Sequence, residues 1–279
     1  MLNTLYTWLL LLCATLLTGC GKQITSSAVS ITSSAVSNWT PPQNPNLMEI
    51  SREAEADATA GNYADALAKH VWLFQNALKF DPSFVGVRVA DELASWVRLS
   101  AVYPPALDKL KAVRDEAAEN VRQGNDAVNE FQDFAAINND LKEYGKTAEL
   151  FIWIDANKPA FAKAAFANQY LLVPALVKAK EFHLCGKYID ANAYFKQSLE
   201  CYRTTAALGS NRPPFKAFRD IAKKDFINQT TMLIAILVVN DRKVEAQQIV
   251  DKISKESDLP EFKTEIQNAL SGELPTQLP

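Results

Sequence analysis

From Leu47 toward the C-terminus, apolar residues recur at three- and four-residue steps, and this spacing constrains the fold more than any other feature of the chain. Tyr63, Ala66, His70, Phe74 and Leu78 form one such stripe, and Tyr188, Ala191, Phe195, Leu199 and Tyr202 form another. These steps keep side chains on one face of a helix, where a neighbouring element can bury them. No stretch sustains the period of two that a half-buried strand requires. Glycine is scarce, 9 in 279 residues, against a usual share of about 7%. The expected class is all-α, and a hydrophobic content of 48% supplies a core.

The stripes break at Gly61-Asn62, Asp81-Pro82, Pro104-Pro105, Gly124-Asn125, Gly145, Lys158-Pro159, Gly186, Pro213-Pro214, Asn240-Asp241 and Leu259-Pro260. Each holds a residue that ends or restarts helices. The breaks predict roughly ten helices joined by short turns, hence antiparallel neighbours. The apolar run Met232 to Val239 is far short of the about 20 residues of a membrane span and reads as a buried helix.

Several predicted hairpins resemble one another. A helix opens after a turn with Tyr63-Ala64-Asp65-Ala66, with Tyr188-Ile189-Asp190-Ala191, and with Lys243-Val244-Glu245-Ala246. Ala191 and Phe195, and Thr147, Phe151 and Pro159, match the small, aromatic and proline spacing that closes a tetratricopeptide repeat. Upstream, Ala179 and Phe182, and Phe131, Phe134 and Ala135, fall where the first helix of such a repeat places small and large residues. The first hairpin departs from the pattern with His70 at the aromatic position and a late Pro82, the hairpin at 229–254 has Val250 there, and residues 82–122 fit poorly. The stretch Lys69 to Asp115 is also similar to bacterial tetratricopeptide proteins of no assigned function. This resemblance, over about half of residues 47–256, implies an α-solenoid of antiparallel hairpins across 47–279. It also implies a protein or peptide partner, held in a groove lined by first-helix residues such as Ser51, Glu55, Leu176, Lys180 and His183. A groove filled by the chain's own C-terminal helix, about residues 260–271, would argue against it.

The N-terminus has a different character. The apolar run Leu5 to Leu17 is too short for a comfortable span and suits a signal-peptide core. It ends in Leu17-Thr18-Gly19-Cys20, which resembles the lipobox of bacterial lipoproteins; the leader Met1 to Thr4 departs from that pattern in carrying no Lys or Arg. The resemblance implies a signal peptide over 1–19 and a lipid on Cys20. Gly21, rather than aspartate, implies sorting to the outer membrane, facing the periplasm. Residues 24–30 and 31–37 both read ITSSAVS, and Pro41, Pro42 and Pro45 follow. Such small, polar, proline-rich sequence over 20–46 predicts a flexible linker rather than a packed element, with a reach of roughly 25–30 Å.

Chemistry finds little footing. His70 lies on an apolar stripe and reads as a core histidine. His183 and Cys185 lack the further ligands that would complete a metal site, so no metal is expected. No P-loop, dinucleotide fingerprint or nucleophile elbow is present, and no cofactor is expected. Adjacent carboxylates such as Asp91-Glu92 and Asp115-Glu116 point in different directions on a helix and read as solvated surface. A hairpin would separate Cys185 and Cys201 by roughly 20 Å, beyond the about 7 Å limit for a disulfide, which predicts two buried free thiols. A net charge of -3 gives no footprint for nucleic acid. The alternative to a partner-binding protein is a solute-binding or enzymatic lipoprotein whose cavity is lined by Trp72, Trp96, Phe151 and Trp153; aromatics at helical spacing are more often core.

Overall fold

Asn46 starts the first helix: its side-chain oxygen accepts a hydrogen bond from the Glu49 amide at 3.2 Å, satisfying one of the donors that a helix start leaves open. Helix α1 (Leu47–Ala60) ends at Gly61, whose φ of 86° is open to glycine without steric cost. The Asn62 amide then reaches back to Asp57 O at 2.8 Å, a Schellman turn, and α2 (Tyr63–Phe80) runs back along α1. A computed structural model describes residues 37–207, 213–256 and 262–275; these are helical, with no strand among the described residues. The expected signal peptide over 1–19, Cys20, the expected linker before Ser37 and the break at Leu259-Pro260 lie outside them. The chain divides into two units, 1–123 and 124–279.

In the first unit, Asp81 caps a short 3-10 turn (Pro82–Phe84) by accepting from the Ser83 amide at 2.8 Å. A helical turn (Val85–Val87) and a π-helical turn (Arg88–Glu92) follow, then α3 (Leu93–Ser100) and α4 (Pro104–Gln123). Residues 82–122, which fit the repeat pattern poorly, therefore form a helical hairpin. Leu47, Ile50, Leu73, Ala77 and Phe84 make a core beneath the first hairpin. The indole of Trp96 is fully buried and donates to Ala106 O at 3.0 Å.

The last residues of the expected linker lie against this unit. Ser37 Oγ and the Asn38 amide both donate to Asp65, at 2.6 and 3.0 Å, and Trp39 meets Trp72 edge to face. Among the described residues, packing thus extends to Ser37, ten residues before α1.

The second unit contains α5 (Ala127–Asp140), α6 (Tyr144–Asn157), α7 (Pro159–Ala165), a 3-10 turn (Phe166–Asn168), α8 (Gln169–Lys178), α9 (Phe182–Tyr188), α10 (Ala191–Ala206), α11 (Pro213–Val239), α12 (Lys243–Glu256) and α13 (Phe262–Leu270). The Gly61 turn recurs here at Lys142, Lys180 and Asp241, with φ of 62°, 63° and 58°. Each time the next amide reaches back five residues: Glu143 to Asn138 O, Glu181 to Leu176 O and Arg242 to Leu237 O, all at 2.8 Å. The fifth residue after each left-handed position is Ala66, Thr147, Cys185 or Ala246, and all four are small and buried.

Two expected breaks move. Gly145 lies in the first turn of α6 and Gly186 inside α9; the turns precede them, at Lys142 and Lys180. Ala179 and Phe182, expected in one helix, fall on either side of a turn. Tyr188 closes α9 rather than opening a helix; Asp190 caps α10 by accepting from the Ala193 amide at 2.9 Å. Gly186 has a packing role instead, because the Asn240 side chain occupies the place of its missing Cβ. Arg242 locks the same junction: Nη1 donates to Gly186 O and Ile189 O at 2.8 and 3.1 Å, while the guanidinium forks onto Glu245.

Of the run Met232 to Val239, expected to be buried, Met232 to Leu237 are wholly buried in α11 while Val239 is half-exposed at its end. Pro159–Lys178 is long and apolar enough to cross a membrane, but 61% of its apolar window is buried within the protein. Helix α13 packs along α11, with Phe262 against Phe226 at 5.6 Å. That partner carries none of the expected groove residues.

Candidate functional site

The first unit holds a seam of polar side chains between α1 and the π-turn with α3. The one-residue widening at Arg88–Glu92 changes which face of the helix turns inward, and it sets Glu92 in the core, with no exposed surface. Ser51 Oγ donates to Glu92 Oε2 at 2.7 Å. The other carboxylate oxygen meets His70 Nδ1 at 2.5 Å, and the imidazole, also wholly buried, stacks on Trp96 with the planes 10° apart. His70 Nε2 has no hydrogen-bond partner among the described residues. Arg88, buried on the same turn, donates to Phe74 O at 3.0 Å and lies over the Phe74 ring.

Toward solvent the seam opens into a cleft of about 360 Å³. Its walls are Glu55, Ala58 and Thr59 from α1, Ser95, Arg98 and Leu99 from α3, and Val102 from the turn beyond. Arg98 Nη2 and Glu55 Oε1 pair across it at 2.6 Å, both half-exposed, so the pair contributes little to stability and is available to a ligand. Asp91 lies beside them, and burial holds its carboxyl above the usual range; Glu55 adds to this and Arg98 opposes it. The charged pair at the rim and the half-exposed Val102 give the cleft a mixed polar and apolar mouth. Glu92 and His70, without exposure, meet no substrate.

The expected groove residues separate by unit. Ser51 and Glu55 belong to this seam, Ser51 through Glu92 and Glu55 at the cleft rim. Leu176 is fully buried in the second unit and faces core rather than a groove. Lys180 occupies the left-handed turn position, and His183 is exposed on α9. Nearby, Asp155 is held below the usual carboxylate range by hydrogen bonds from Lys187 and Tyr188, with a smaller effect from His183.

One reading of the sequence changes. Asp91-Glu92 is not a solvated pair: Glu92 is a core acid and Asp91 is half-buried. Trp96 and Phe151 are core, Phe151 packing against Phe131, Phe166 and Tyr188. Cys185 and Cys201 are free and buried, and burial pushes their thiols up to about 12 and about 11. Cys185 points inward while His183 faces solvent, so the two do not converge on a metal; no group of three metal-ligating side chains occurs among the described residues.

A second cleft, of about 560 Å³, lies between α11, α13 and the Glu273–Pro275 tail, with Lys223, Lys224, Asp220 and Glu265 among its walls. No protein family, curated protein or solved structure matches this chain.

Proposed function

We propose that this is a lipid-anchored protein of the bacterial cell envelope whose tetratricopeptide-like hairpins bind a protein partner, as an adaptor or assembly factor. The observation that carries the reading is the cleft between α1 and α3, the first helices of two successive hairpins in the first unit. Repeat arrays present ligands to that face, because the second helices pack behind it. Glu55, one of the residues expected in a groove, is on the cleft wall and supports the reading, whereas Ser51 donates to the buried Glu92 and is not part of that wall. The lipobox-like Leu17 to Cys20 supplies the anchor in this reading, and its sorting residue Gly21 favours the outer membrane, periplasmic side. The reading assigns the chain no reaction, cofactor or metal. The small-molecule alternative is weaker, since Trp96 and Phe151, which it needs as cavity walls, are core side chains.

The test is crosslinking and affinity capture from the native membrane, comparing the wild-type protein, a Cys20→Ala version and a Glu55→Arg/Arg98→Glu version. A partner recovered with the wild type, lost on removing the anchor and weakened by altering the cleft supports the adaptor. A partner indifferent to both changes, or none, refutes it.

A further inference from the structure

A ladder of rings runs along the outer flank of the first hairpin. Trp39 meets Trp72 at 6.0 Å between centroids, and Trp72 meets Phe80 at 5.7 Å. Phe80 is 55% exposed, and Met48, at the same open end of the α1–α2 hairpin, is 52% exposed. Trp39 and Trp72 are half-buried, their other faces packed on Leu47, Ile50, Leu73, Ala77 and Phe84. Trp39 and Trp72 thus each rest on the core, with Lys69 Nζ 5.7 Å above the Trp39 ring, and Phe80 ends the ladder in the open. The charges on the adjoining helix ends are mixed, Arg52 and Lys79 against Glu49 and Asp81.

We propose that this ladder lies on the surface of the bilayer to which the chain is anchored, with Trp39, Trp72 and Phe80 at the level of the lipid headgroups. The proposal rests on the lipid anchor at Cys20. What selects lipid is the place where the chain enters. Trp39 is two residues past Ser37, which is pinned to Asp65, and only about 17 residues separate Ser37 from Cys20. Even fully extended, that length reaches at most about 60 Å, so the ladder is never far from the membrane holding the acyl chains. A surface tied so closely meets the bilayer at high effective concentration, and a weak apolar contact suffices to orient the domain. Tryptophan, with an apolar ring and a polar N–H, favours the membrane–water interface. Because the flanking charges offset one another, the attraction is apolar and insensitive to salt and to anionic lipid.

The experiment uses the mature lipidated protein in vesicles of zwitterionic lipid, with and without bromine on the acyl chains near the headgroup. Mass spectrometry of the same protein first reports whether Cys20 is acylated, which tests the anchor separately. With acylation present, brominated lipid should quench part of the tryptophan emission, and 1 M salt (a roughly 3 Å screening length) should leave the quenching unchanged. Trp72→Phe should remove much of it, and Phe80→Ser/Met48→Ser, exposed positions whose change leaves the core intact, should reduce it severalfold. Emission identical in both lipids, or quenching untouched by these variants, overturns the proposal. Protection of Phe80 by a bound protein in place of lipid, read by crosslinking from that position, also overturns it.

Discussion

The buried His70–Glu92 pair is the most exacting test of the described structure. Glu92→Ala removes an acceptor used by both His70 Nδ1 and Ser51 Oγ. His70 has no exposure and Ser51 is part-buried, so water cannot fully replace it. Leaving the buried His70 and Ser51 donors without this acceptor costs about 1–3 kcal/mol for each. For a unit of this size that corresponds to a fall in melting temperature of about 10 °C or more. Replacing both partners, His70→Leu with Glu92→Leu, trades the pair for apolar packing against Trp96, and such replacements are often neutral or stabilising by about 1–4 kcal/mol. The assay is urea unfolding of Glu92→Ala and of the double-mutant cycle formed by the wild type, His70→Leu, Glu92→Leu and the double variant, followed by tryptophan fluorescence. The expected result is a coupling energy well above the about 0.5 kcal/mol scatter of independent sites. Additive single effects, or a loss below about 1 kcal/mol for Glu92→Ala, would show that Glu92 is not the seam's buried acceptor.

Other outcomes follow from individual positions. Gly186→Ala places a methyl group into the Asn240 side chain and should cost about 1–3 kcal/mol. Gly145→Ala, in open space within α6, should be neutral or stabilise by up to about 1 kcal/mol; thermal melts of the pair check both, and equal effects would refute the packing role of Gly186. Lys180→Gly relieves a left-handed backbone of about 1–2 kcal/mol and should raise the melting temperature, whereas a fall would mean that the turn at 179–181 is misplaced. Asp91 holds its proton more tightly folded than unfolded, so its contribution to stability falls as pH rises from the ordinary carboxylate range through its raised folded value. Asp91→Asn should therefore stabilise at neutral pH, with the gain fading below the ordinary carboxylate range; melts from acid to neutral pH that show no such trend would contradict its burial.

The sequence by itself determined the class. Helical spacing needs only local geometry, so the stripe at 63–78, the part of the 188–202 stripe from Ala191 onward, and the turn glycine Gly61 announce helices without knowledge of their neighbours. It also carries the lipobox-like order Leu17 to Cys20, on which the proposed anchor rests. Tertiary structure decided the turns at Lys142 and Lys180, because αL conformations in lysine carry no compositional signal and are held by backbone bonds reaching back to Asn138 and Leu176. It decided that Gly186 is a packing notch, since that depends on Asn240, far along the chain. The seam was half legible: Ser51 and Glu55 lie on a predicted first helix, but Glu92 looks in sequence like any surface acid beside Asp91. Only the extra residue of a π-turn, invisible to a 3.6-residue pattern, turns it inward to His70. A local pattern says which residues share a helix face, whereas contacts between distant segments decide what that face meets.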